Sequence, residues 1–201
     1  WIVLWADATD RNTLRGIAKV AASAGFLGVA LARDAHHGGA VGTCLLVALF
    51  LSAVGDISLI GKSKRAVAGG LAAFFLAHVA FVATFAASGM SAVALIGTLA
   101  VFTVVVPPIW RWLMPHTGSL YSAVAGYITV IVLMVASAGG ALGAEPGWLR
   151  LFWLVCAATF FASDLFVARQ RFVTPHPINR RVGLPLYYAA QLGFAYGMTA
   201  P

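Results

Sequence analysis

Three ionisable side chains of this sequence stand inside long apolar runs: Asp56 in LFLSAVGDISLI, His78 in AAFFLAHVAFV and Asp164 in CAATFFASDLFVA. A charge in such a setting costs roughly 2.5–3.5 kcal/mol on membrane-insertion scales, so each one calls for a reason. Lys19 lies near the start of another apolar run, and Tyr121, Tyr127, Tyr187, Tyr188 and Gln191 add polar capacity. Two carboxylates sharing a low-dielectric cavity push each other's protonation apart, so that one holds a proton while the other stays charged. That supplies a general acid and a general base in one site. A neutral histidine beside them relays protons or orients water.

Other chemistries find no support in the residue pattern. There is no G-x-S-x-G elbow, no H-E-x-x-H, no group of three histidines within the apolar runs and no glycine-rich phosphate loop. The last apolar run has no lysine for a retinal Schiff base. The reading therefore calls for no metal and no cofactor. Cys44 and Cys156 both fall in apolar segments, as small packing residues rather than a disulfide or zinc framework. Plainer roles compete for some positions. His78 shares a helical stripe with Phe74, Phe81 and Phe85, as a hydrogen-bonded core histidine would. Tyr121 and Tyr187 read as interfacial belt aromatics, Gln191 as a bridge between helices, and Lys19 as an anchor of its helix end. His36, His37, His116 and His176 read as solvated loop residues.

The elements that must position these groups are membrane spans. The chain has 201 residues, is 61% apolar and only 9% charged, and has a mean hydropathy of +0.92, so lipid must cover most of its surface. A helix needs about 20 apolar residues to cross the hydrocarbon core. Seven segments qualify, at about Gly16–Leu31, Ala40–Ile60, Ala66–Ser88, Ser91–Ile109, Gly118–Ser137, Trp148–Arg169 and Val182–Met198. The opening WIVLWA reads as the end of an incomplete first span rather than a signal peptide. The fold class expected is all-α: a polytopic transmembrane helix bundle of about eight spans, one domain over residues 1–201. Connections such as HHGG, GKSK, PHTG and TPHPINR are short, so neighbouring helices run antiparallel.

At about 1.5 Å per residue, Asp56 and Asp164 each stand about one turn from a helix end. His78 stands roughly 18 Å in, and Tyr127 and Gln191 roughly 12–14 Å in. All of them fall in the same half of the bilayer, and this predicts one polar cavity open to one side. That side is the basic one. Arg11, Arg15, Lys19, Lys62, Lys64, Arg65, Arg111, Arg169, Arg171, Arg180 and Arg181 belong to alternate connections, and only Arg33 and Arg150 lie opposite. The positive-inside rule makes the basic face cytoplasmic, in a multi-pass protein of the cell (inner) membrane. The net charge of +7 is thus a topology signal, with no nucleic-acid partner implied. Small residues such as Gly69, Gly70 and Ala73 suit packing within one chain or between chains, which leaves the oligomeric state open.

The blocks around these residues resemble the YhhN-type lysoplasmalogenase family of integral membrane proteins. They are SAVGDISLI with Asp56, GGLAAFFLAHVAF with His78, GYITVIVLM with Tyr127, FFASDLFVARQRF with Asp164, and LPLYYAAQ with Tyr188 and Gln191, in that order. Lys19 matches a lysine of an early span, with Val20 where the family commonly has proline. The resemblance implies about eight spans and an ether hydrolase that cleaves the vinyl-ether bond of lysoplasmalogens. The products are a fatty aldehyde and a glycerophospho-ethanolamine or -choline. It also implies that Asp56, His78, Asp164 and Gln191 line the site.

The residues suit that chemistry. Protonation of the enol-ether carbon gives an oxocarbenium ion, a carboxylate stabilises it, and water completes the hydrolysis, as in two-carboxylate glycoside hydrolysis. On this reading Asp56, Asp164 and His78 are catalytic. Lys19, Tyr127, Tyr188 and Gln191 bind the lysophospholipid, and Lys19, Arg169 or Arg171 holds its phosphate. Midplane polar groups also mark transporters, and a non-catalytic lipid-binding protein is the third reading.

Overall fold

In hydrocarbon every backbone N–H and C=O must be paired within the chain, and only helices and closed barrels satisfy that. The computed structural model describes residues 12–61 and 63–197, which form seven α-helices and no strand among the described residues. They are α1 (Asn12–Ala32), α2 (Gly39–Ser58), α3 (Lys64–Ala87), α4 (Ala92–Leu113), α5 (Tyr121–Ala144), α6 (Trp148–Ala168) and α7 (Pro177–Gly197). The incomplete span expected before Ala6 lies outside the described residues. Serines start two of the helices: Ser63 and Ser91 accept from the N–H of Ala66 and Ala94, which satisfies an otherwise orphaned donor.

Six helices close into a ring. α1 packs on α2, α2 on α3, α3 on α5, α5 on α6, α6 on α7, and α7 returns to α1. α4 stands outside this ring and packs mainly on α5. The segments TM-like by length and composition are α2 to α6, extended in places by short flanking turns. Their burial follows the logic of a lipid solvent. α4 buries none of its most apolar stretch. α7, which falls short of the apolar criterion, instead buries Asn179, Tyr187 and Gln191. Polar side chains face inward where they find partners, and apolar ones face lipid.

The ring is filled unevenly. In the half away from the basic ends, Phe26, Phe81, Phe85, Met134 and Phe194 are fully buried. Phe194 stacks on Phe81 at 4.6 Å, and Phe85 lies against Trp153. This aromatic layer closes one half of the bundle and leaves the other half open for a cavity.

Four boundaries differ from those expected of the sequence. α4 continues through Pro107 and Pro108 to Leu113 instead of stopping near Ile109. The prolines remove two N–H donors, but ending a helix in lipid would strand more backbone than a proline does. α5 runs on to Ala144, past Ser137, through small residues that lie against α4. α6 does not end at Arg169 but adds one π turn, Arg169–Val173, closed by the Thr174 N–H on the Arg169 carbonyl at 2.8 Å. α7 begins at Pro177 rather than Val182, because proline suits the first helical position, where no intrahelical donor is needed. The last two shifts sink Asp164, Tyr187 and Gln191 deeper than the apolar segments alone implied.

The α6–α7 contact depends on missing side chains. A Cβ at Gly193 would overlap the Cys156 sulfur and lie 3.3 Å from the Phe152 ring, and one at Gly183 would lie 3.0 Å from Phe166. Gly193→Val is therefore expected to destabilise the bundle by about 1–3 kcal/mol. Thermal unfolding in detergent checks this, with a melting temperature lower by about 2–4 °C per kcal/mol. An unchanged melting point would mean that α6 and α7 do not approach as described.

Candidate active site

Asp56, one turn before the end of α2, is 2% exposed. Among the described residues, its hydrogen-bond and ion-pair partners can all donate to it. Ser23 Oγ on α1 and Tyr187 Oη on α7 each donate to Oδ2 at 2.8 Å, and the Lys19 ammonium on α1 lies 3.6 Å from Oδ1. Ser23 follows Lys19 by four residues, so both side chains leave the same face of α1. Two hydroxyls and an ammonium are partners that suit an ionised carboxylate. Tyr187 is no belt aromatic. The early start of α7 places it inside the ring, 5% exposed, against Phe74 and Phe160.

Asp164 has a different set of neighbours. Tyr127 Oη on α5 donates to its Oδ2 at 2.8 Å, and His78 Nε2 on α3 lies 3.7 Å from the same oxygen. His78 is fully buried, and its Nδ1 lies 2.6 Å from the Phe74 carbonyl. A carbonyl only accepts, so Nδ1 carries a hydrogen and donates. Nε2 then faces Asp164, and the two atoms attract only when a proton lies on one of them. No cation stands beside this second carboxylate among the ion pairs of the described residues apart from His78 itself.

The two carboxylates make no hydrogen bond to each other among the described residues. They are linked through aromatic rings instead. His78 meets Tyr127 at 5.2 Å and Phe160 at 4.7 Å, and Phe160 meets Tyr187 at 5.4 Å. Both open onto one cavity of about 1120 Å³. Its lining takes the ends of α2, α4 and α6 and the starts of α3, α5 and α7, so it opens where the basic residues cluster, as the depths in the sequence suggested.

Of the residues expected in the site, Asp56, Asp164, Lys19 and Tyr127 line this cavity. His78 and Gln191 do not line it. His78 stands behind Asp164, and Gln191 is fully buried near Tyr187, with neither amide atom in a well-formed hydrogen bond. Tyr188 meets Tyr187 edge to face at 4.9 Å, with its hydroxyl buried and without such a bond. Sequence reasoning did not pick out Ser23. Its signal was the i, i+4 spacing from Lys19 within an apolar run.

At the mouth, Asn179 ties the π turn to the start of α7. Arg169 donates to its Oδ1 at 2.9 Å, and its Nδ2 donates to Gln170 Oε1 at 3.0 Å and to the Thr174 carbonyl at 2.9 Å. The clamp occupies Arg169, as Asp56 occupies Lys19. Arg171, also on the π turn, is exposed and lines the cavity.

Fold and site together describe a multi-pass membrane protein with a one-sided, largely apolar cavity onto which two carboxylates open. A sequence model of the YhhN family matches residues 14–198, and the chain belongs to that family. Curated relatives include Lysoplasmalogenase TMEM86A of Bos taurus, 31% identical over 154 residues. The Homo sapiens protein of the same name is 32% identical over 154 residues. Each alignment covers 75% of this chain and 62% of the relative, so the chain spans about three fifths of their length. No solved structure matches the chain.

The Lys19–Asp56 pair makes a quantitative prediction. Removing one partner of a buried ion pair costs about 3–5 kcal/mol, because the other charge is stranded. Lys19→Met is expected to destabilise the wild-type background strongly and the Asp56→Asn background much less. A double-mutant cycle on thermal or denaturant unfolding should give a coupling of at least ~1 kcal/mol. Additive effects would show that the pair is not formed.

Proposed function

We propose that the chain hydrolyses the vinyl-ether bond of lysoplasmalogens, releasing a fatty aldehyde and a glycerophospho-ethanolamine or -choline. The reading is carried by one observation: two buried carboxylates on one cavity, one held by a lysine and hydroxyl donors, the other beside a histidine and a tyrosine. The family and the printed activity of the curated relatives support it.

The unequal surroundings support a division of roles. A proton carried by Asp164 is the acid equivalent, delivered to the vinyl carbon remote from the ether oxygen, and His78, whose Nε2 stands 3.7 Å from Oδ2, returns it. The C=C π electrons form the new C–H bond, and the ether oxygen stabilises the adjacent cation as an oxocarbenium ion. Asp56, kept ionised by Lys19, stabilises that cation and steers water onto it. The hemiacetal that results collapses to aldehyde and glycerol hydroxyl, with proton transfers through the same two carboxylates. Tyr127 and Tyr187 hold the carboxylates in place, and Gln191 and Tyr188 stand behind Tyr187. Arg171 at the mouth suits the lipid phosphate better than Lys19 or Arg169, both of which are engaged. By the positive-inside rule this mouth faces the cytoplasm, in a multi-pass protein of the cell membrane. A transport path would have to cross the packed layer of Phe81, Phe85 and Phe194.

Purified protein given a lysoplasmalogen and, separately, a saturated lysophospholipid should release aldehyde only from the first. Asp164→Asn and His78→Gln are each expected to lower kcat by about 10²–10⁴-fold with folding intact, and Asp56→Asn to lower it as far in the fraction that remains folded, since it also strands Lys19. Near-normal turnover in both aspartate variants would contradict the two-carboxylate mechanism, and absence of aldehyde from folded parent protein would contradict the activity.

A further inference from the structure

The cavity does not end at the ring of helices. α4 and α6 touch where Phe102 meets Phe161, ring centroids 5.4 Å apart. Toward the basic end they part, and a second void of about 370 Å³ lies between them. Pro108 and Trp112 wall it from α4, and Ala162 walls it from α6. Ile109, Leu165 and Phe166 face both voids, so the crevice and the main cavity share a wall.

We propose that this crevice is the binding site for the alkyl tail of a single-chain amphiphile, running from the carboxylates out into the bilayer between α4 and α6. Its walls are apolar apart from Arg169, whose guanidinium is turned to Asn179. A tail placed there stays in hydrocarbon along its length while the polar head remains at the basic mouth. The opposite course, toward the far side of the bundle, is filled by the aromatic layer around Phe81 and Phe194.

α4 is suited to be the wall that gives way. It lies outside the closed ring with its outer face turned away from the bundle, where Val101 and Val104 are strongly exposed. Pro107 and Pro108 also leave the Thr103 and Val104 carbonyls without their usual intrahelical donors at the level where the crevice begins. A helix with fewer backbone bonds and neighbours on one side only moves more readily than a ring member.

The proposal rests on the lysolipid reading for the identity of the head, so one arm of the test is independent of hydrolysis. The probe is a saturated lysophosphatidylcholine with a photoactivatable diazirine midway along its chain, added to the purified full chain in detergent micelles. Labelled peptides are mapped by mass spectrometry. Labelling is expected at residues 108–112 and 162–166. Excess unlabelled lysophosphatidylcholine, and separately Ala162→Phe, should each reduce it at least fivefold, while labels on the lipid face around Val101 and Val104 persist. Competable labelling elsewhere, or crevice labelling that no competitor removes, would overturn the tail site whether or not the protein hydrolyses anything. In the second arm Ala162→Phe should raise KM roughly tenfold for a long-chain lysoplasmalogen and leave a short-chain one unchanged. Equal effects on both chain lengths would overturn the tail site. Should parent protein hydrolyse neither substrate, the activity fails and the labelling arm alone decides the site. Should Ala162→Phe not fold, competition on the parent protein decides it.

Discussion

Asp56 is almost wholly withdrawn from solvent, and its stability there depends on donors brought from two other helices. Lys19 and Ser23 arrive from α1 and Tyr187 from α7, so one carboxylate fixes how three helices meet. Stranding the charge would cost more than any apolar contact at this interface supplies. The ring of helices closes at this point: α1 touches both α2 and α7, and the carboxylate is shared by all three. The glycine face of α7 complements it, letting α6 come close enough for Asp164 to reach the same cavity.

The second carboxylate shows why the pair is asymmetric. Asp164 has a hydroxyl donor and an imidazole but no lysine, and it borders the cavity more openly, with its side chain 16% exposed. On the proposed mechanism, a charge held at Asp56 and a proton held at Asp164 would separate the tasks of a counter-charge and of an acid. The sequence reading left the two aspartates interchangeable, because nothing in GD or SD distinguishes them. Their partners lie 33 and 131 residues away for Asp56 and 37 for the tyrosine of Asp164, so the difference emerges only when the helices pack.

Much of the architecture was legible because lipid imposes a simple rule on composition. Apolar runs of span length and alternating loop charge point to the helices and to the end at which the cavity opens. Boundaries were less legible, since a proline reads as a stop and an arginine as an interface. Pro107, Pro108, Arg169 and Arg171 nonetheless stand in helical turns, because backbone pairing outweighs both signals in this solvent. Those boundaries carried the error on Tyr187, which reads as an interfacial aromatic only if α7 starts at Val182. Asp56 and Asp164 stood out by the cost of burying them, whereas Lys19 and Tyr127 drew notice through the family blocks that hold them. Ser23 did not, because a serine in an apolar helix usually bonds its own backbone.

Running the reaction in D2O containing 18O-labelled water, with the aldehyde reduced to the alcohol as it forms, tests the chemistry most directly. Proton delivery from a fixed side chain to carbon predicts one deuterium on the carbon next to the former carbonyl, in a single configuration, and no 18O in the glycerophospho product. A product without deuterium at that carbon, or 18O on the glycerol oxygen, would show that the bond breaks another way and would contradict the assignment of Asp164 and His78 as the acid.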